Sequence, residues 1–123
     1  MANILLAEDD RNFGMILKTE LEEEEHTVHH VIDGVEAILS YIANAYDIVL
    51  LDLRMPRLTG TDALKIMKSL NPGTPAITFS GNAGQAEMAE SLNCGAVKCF
   101  TKPFEITHLK EIINNMFPKG LAL

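Results

Sequence analysis

The run Ile48-Val49-Leu50-Leu51-Asp52 constrains the fold more than any other part of the chain. A strand with one face in water alternates apolar and polar side chains, so four consecutive apolar residues require cover on both faces. Around this run, short apolar segments alternate with stretches whose apolar residues recur at helical spacing, five of each. Residues 4–7 predict a first strand, followed by a helix over 11–24 with Phe13, Ile16, Leu17 and Leu21 on one face. Residues 26–32 give a weaker strand, and Asp33 is placed to cap a second helix carrying Val35, Ile38, Leu39 and Ile42. The central strand, 48–53, leads to a third helix marked by Leu64, Met67 and Leu70 and stopped by Asn71-Pro72-Gly73. A strand over 75–79, a short polar helix over 85–93, a break at Gly95, a strand over 97–101 and a helix over 105–117 complete the pattern. In the last helix Ile106, Leu109, Ile113 and Met116 are in register. Short connections between alternating strands and helices predict one α/β domain over residues 1–123. It would be a doubly wound, five-stranded parallel sheet with five helices and right-handed crossovers.

A chain of 123 residues suits one domain and can bury a core without disulfides or a structural metal. The formal net charge of -7 argues against direct nucleic-acid binding, which needs a basic face. The only cysteines, Cys94 and Cys99, read as reduced small hydrophobes and not as a bridge. No apolar run approaches the roughly 18 residues of a membrane span. The N-terminus enters a strand at once, without a basic segment or cleavage site, so the cytoplasm is the expected compartment.

In an open parallel sheet, ligands bind beyond the carboxyl ends of the strands. Glu8, Asp9 and Asp10 follow the first strand, Asp52 ends the third, Ser80 follows the fourth and Lys102 the fifth. Acids this close repel one another unless a cation relieves them. Oxygen donors with no His or Cys at these strand ends suit Mg2+ and not zinc. A metal, the Lys102 ammonium and the Ser80 hydroxyl match the oxygens of a transferring phosphoryl group, and Asp52, alone on the central strand, is the candidate nucleophile. Each residue alone has a bland reading as a cap, a turn or a solvated charge. Four strand ends in one fold make the bland reading the weaker one.

At this point the chain resembles the receiver domain of two-component response regulators, over essentially its whole length. ILLAEDD, IVLLDLRMP, AITFSG and GAVKCFTKPF carry the likeness by their order and spacing. The resemblance implies a flavodoxin-like sheet with strand order 2-1-3-4-5. It implies that Asp52 is the phospho-acceptor and that Asp10, Asp52 and the backbone carbonyl of Arg54 hold the metal, with Asp9 reaching it through water. Mg2+ is the implied ion, with Mn2+ as a substitute. Ser80 matches the switch hydroxyl, Lys102 the lysine that pairs with the phosphoryl group, and Gly60 a glycine that shapes the loop after Asp52. The Lys102-Pro103 bond would be cis. A sensor histidine kinase or histidine phosphotransfer protein would be the donor, and a separate protein or fused output domain the reader. The domain would catalyse its own phosphorylation and dephosphorylation without turning over an external substrate. Dimerisation on phosphorylation through the fourth helix, fifth strand and fifth helix is a family habit to which these residues show no commitment.

One position departs from the family. An aromatic switch residue usually stands three places before the lysine, and here that place holds Cys99. Phe100 should face the opposite layer, since strand side chains alternate. Output is therefore expected to rely on the loop from Ser80 to Gln85 and the helix after it. Arg54 and Asn82, each two positions past a functional residue, are candidates for tuning the phosphoryl lifetime. His26, His29 and His30 are expected to lie away from the functional edge. Three alternatives compete. A haloacid-dehalogenase-like phosphatase would need an Asp where Arg54 stands. A flavin carrier would need a Ser/Thr/Gly loop where Glu8, Asp9 and Asp10 stand. A receiver-like scaffold that has lost phosphorylation would not need the full Asp52, Ser80 and Lys102 set.

Overall fold

A computed structural model describes residues 1–81 and 84–118. The elements run β1 (Asn3–Ala7), α1 (Arg11–Glu23), β2 (Thr27–Val31), α2 (Gly34–Ala43), β3 (Ile48–Asp52), α3 (Gly60–Leu70), β4 (Ala76–Ser80), α4 (Gln85–Asn93), β5 (Lys98–Thr101) and α5 (Ile106–Met116). The strands form one sheet in the order β2-β1-β3-β4-β5, and every neighbouring pair is parallel. Among the described residues no helix is long and apolar enough to cross a membrane.

Strand alternation explains the unbroken apolar runs. Ile4, Leu6, Ile48 and Leu50 enter one layer with Leu17, Leu21, Leu109 and Ile113 of α1 and α5. Leu5, Ala7, Val49 and Leu51 enter the other with Ala37, Tyr41, Leu64 and Met67 of α2 and α3. Each fully buried Leu or Ile contributes roughly 1.5–3 kcal/mol relative to exposure. An exposed ion pair such as Lys18–Glu22, 4.0 Å apart, adds far less. The apolar layers therefore decide the fold.

The helix faces correct the sequence reading at several positions. On α2 the buried residues are Gly34, Ala37 and Tyr41, while Leu39 and Ile42 are exposed. Small side chains let this helix approach the sheet and the loop after β3; a Cβ on Gly34 would overlap the Leu58 carbonyl. Ile16, Leu70 and Met116 also reach solvent, although Leu17, Met67 and Ile113 beside them are buried. The third helix begins at Gly60, ahead of its first bulky apolar residue, because the Thr59 hydroxyl accepts from Asp62 N and caps it.

At the sheet edge where the strands begin, the Met1 ammonium donates to the carbonyls of Phe117 and Pro118 at 3.3 and 3.4 Å. Nearby, buried His26 accepts from Ala2 N through Nδ1. Its Nε2 must then carry the proton, and it donates to Asn114 Oδ1 at 2.8 Å. This edge is thereby knitted from both ends of the described chain.

Candidate functional site

The opposite edge, where the strands end, collects the charged groups. Asp52 closes β3 with its side chain almost fully covered. Lys102, from the loop after β5, donates to Asp52 Oδ2 at 2.9 Å and to Glu8 Oε1 at 2.7 Å. The ammonium lies 5.1 Å from the Phe13 ring centre, so an aromatic face backs it opposite the acids. Lys102 N also donates to the Ser80 carbonyl at 2.7 Å, which fixes the β5 loop to β4. The Lys102-Pro103 bond is cis.

Carboxylate oxygens of Glu8, Asp9 and Asp52 lie within 4.8 Å of one another. Glu8 is fully buried. Burial, and then its hydrogen bond with Asp52, push the Glu8 carboxyl up to about 8, against the opposing pull of Lys102. Burial would lower the Lys102 ammonium, but Glu8 and Asp52 outweigh it and hold its pKa above the usual value. A close all-oxygen cluster in which burial holds one carboxyl above its usual range is the donor set a hard divalent cation fits.

Asp10 has another occupation. It is exposed, and its Oδ1 accepts from Phe13 N at 3.1 Å as the N-cap of α1. Its own N–H donates to Glu8 Oε2 at 3.2 Å. The structure thus gathers Glu8, Asp9 and Asp52, where the sequence had led to Asp9, Asp10 and Asp52. The signal lay in the helix boundary: a helix starting at Arg11 makes the acid before it a cap. Asp10 still lines an open cleft of about 370 Å³ with Phe13, Lys102, Pro103 and Phe104.

The loop after β3 is set by close contacts. Arg54 N donates to Asp52 Oδ1 at 3.1 Å. Gly60 N donates to the Leu53 carbonyl at 2.9 Å, and a Cβ at Gly60 would overlap the Asp52 carbonyl oxygen. Glycine there is a requirement of space. Arg57 adopts φ 71, a left-handed conformation uncommon for a branched-out side chain, and pairs with buried Asp33 at 3.2 Å. Asp33 also caps α2 by accepting from Glu36 N. That bond, helped by Arg57, holds the Asp33 carboxyl below the usual carboxylate range.

Ser80 is buried at the end of β4, and its hydroxyl contacts the carbonyls of Gly81 and Gly84 at 3.1 and 3.3 Å. It faces the following loop in this state. Cys99 is half-buried on β5, and Phe100 is buried in the layer of α1 and α5 against Phe104, as strand alternation requires. Asn82 lies outside the described residues. His30 is nearer the site than its sequence position implied: its Nε2 donates to the Glu8 carbonyl at 2.8 Å. The side chain of Arg54 meets Glu87 of α4, a contact between distant segments that no local pattern announces.

The model for the response regulator receiver domain family matches residues 4–114. Among curated proteins, the response regulator ArlR of Staphylococcus saprophyticus is 31% identical over 116 residues, 94% of this chain and 52% of that protein. The response regulator protein PmrA of Pseudomonas aeruginosa is 34% identical over 107 residues, 87% of this chain and 48% of that protein. The chain thus spans about half the length of these relatives. Among solved structures, the receiver domain of Francisella response regulator 1452 superposes with a TM-score of 0.88 at 33% identity, covering 94% of this chain and 96% of that one. A CheY-like receiver domain protein from Methanospirillum hungatei gives 0.89 at 28% identity, covering 94% and 93%. With its sheet order and acidic strand ends, the chain belongs to the response-regulator receiver domains and serves as a receiver in two-component phosphorelay signalling.

Proposed function

We propose that Asp52 is the residue that takes the phosphoryl group. The observation that carries this reading is the contact of Asp52 with Lys102 at the mouth of the acidic cluster. The donor is a phosphohistidine on a sensor kinase or phosphotransfer protein. An Asp52 carboxylate oxygen attacks phosphorus, the P–N bond breaks with its electron pair returning to the imidazole, and an acyl phosphate results. Lys102 stands where it can pair with the phosphoryl oxygens, and Ser80 would turn from the Gly81 and Gly84 carbonyls toward them.

Glu8, Asp9 and Asp52 would hold Mg2+, or Mn2+ in its place, with the Arg54 carbonyl as a further oxygen donor. A divalent ion bound there neutralises the acids and the charge of the incoming phosphoryl group. Asp10 is assigned to capping and to the rim of the site. Arg54, two positions past the acceptor, and Asn82, two positions past Ser80, set how long the acyl phosphate lasts. The domain cycles its own phosphate and turns over no external substrate. A separate protein or fused output domain reads the switch, and a phosphorylation-dependent homodimer is one form such a reader could take. The cytoplasm is the compartment that suits these partners.

Incubation with Mg2+ and acetyl phosphate, followed by intact mass, tests the reading. A labile gain of one phosphoryl group that disappears in Asp52→Ala and with chelator is the expected result. An adduct that persists in Asp52→Ala would sink it.

A further inference from the structure

Arg54 joins two parts of the molecule that the chain leaves far apart. Its Nε and Nη2 both donate to Glu87 Oε1, at 2.9 and 2.6 Å. Its backbone N–H meanwhile donates to Asp52 Oδ1 at 3.1 Å. One residue thus touches the acceptor with its backbone and the first turn of α4 with its side chain.

The rest of α4 is weakly held. Ser91 is its only buried residue, and that contact is a hydroxyl pair with Thr78 at 2.9 Å. Its N-cap, Gly84, offers no side-chain bond. Its ion pair from Glu90 to Lys65 is half-exposed on both sides and contributes little. Glu87 Oε2 is buried and takes no hydrogen bond among the described residues, so this carboxylate rests on Arg54 through one oxygen. A phosphoryl group brings close to two negative charges beside the Arg54 backbone, against a single charge on Glu87.

We propose that Arg54 is a charge-operated latch on α4. In the resting protein it holds Glu87. With a phosphoryl group on Asp52 it turns to the phosphoryl oxygens, and the first turn of α4 is released. This rests on Asp52 being the acceptor.

Hydrogen exchange over Gln85–Asn93 tests it in the full chain, with Mg2+ and with or without acetyl phosphate, while intact mass reports the adduct. In the unaltered protein, exchange of α4 should accelerate about two- to fivefold on phosphorylation, the scale of losing one exposed or half-exposed ion pair. Glu87→Gln should exchange faster at rest and gain little more when phosphorylated. Arg54→Gln, which cuts the pair from the other side, should do the same. Lys65→Ala loosens α4 through Glu90 alone and should keep the full response. With the adduct present, a full response in Glu87→Gln, or a lost response in Lys65→Ala, overturns the latch and leaves the acceptor reading standing. Failure of the unaltered protein to form any adduct overturns both, since the latch would then have no trigger.

Discussion

Among the described residues, the loop after β3 is pinned from several sides, whereas the described ends of the loop after β4 are joined by the Ser80 hydroxyl and by Gly84 N donating to the Gly81 carbonyl. In the first, Leu53 N continues the sheet to the Phe79 carbonyl, Gly60 closes on Leu53, Arg57 pairs with Asp33 and Thr59 caps α3. In the second, Ser80 Oγ reaches two glycine carbonyls, and α4 follows without a side-chain cap. The two loops flank Asp52, the proposed acceptor. A phosphoryl group added between them meets a wall on one side and a loosely attached helix on the other. Displacement should go where local stability is lowest.

The largest effect should come from breaking the wall. Gly60→Ala forces a methyl group into backbone and should cost about 3 kcal/mol in urea denaturation, with loss of phosphorylation. Next comes the charge held between the loops. Because the folded Glu8 carboxyl lies near 8, up from 4.5, the unfolded chain gives up between those values a proton that the fold keeps. This group's contribution to metal-free stability is therefore complete below pH 4.5 and falls as the pH rises through about 8. A cation at the cluster reverses the preference. Mg2+ affinity, followed by calorimetry, should rise by up to about tenfold per pH unit until Glu8 is ionised. Glu8→Gln should flatten both slopes.

Smaller changes sharpen the loose side. Ser91→Ala leaves the buried Thr78 hydroxyl without its partner and should cost about 1–2 kcal/mol, read as faster exchange in α4 before any global unfolding. Gly81→Ala should be nearly silent, within about 0.5 kcal/mol, since open space surrounds a Cβ there. A loop after β4 as sensitive at Gly81 as the loop after β3 is at Gly60 would erase the contrast.

The fold was legible because Ile48 to Leu51, and Ile4 to Ala7 beside them, are apolar on consecutive positions, a pattern that a sheet covered on both faces satisfies. The placing of Asp52, Ser80 and Lys102 at one edge of the sheet was legible because each stands at or just past the end of a strand, while their roles belong to the proposal. Glu8 and Asp10 were exchanged although the helix start expected at Arg11 already made Asp10 its cap, because the acids were weighed by charge and not by helix position. The face of α2 was misread because hydrophobicity ranks Leu39 and Ile42 above Gly34 and Ala37, while close packing selects the small residues. The Arg54–Glu87 pair joins residues 33 positions apart, and sequence periodicity carries no information at that range.

The meeting of Met1 with Phe117 and Pro118 has a consequence for how such a domain is wired. Met1 and Pro118 both lie where the strands begin, a full strand length from Glu8 and Asp52. That edge is crosslinked by main-chain groups and by His26, so it stands as the fixed end of the sheet, and any rearrangement around the acids plays out against an anchored base.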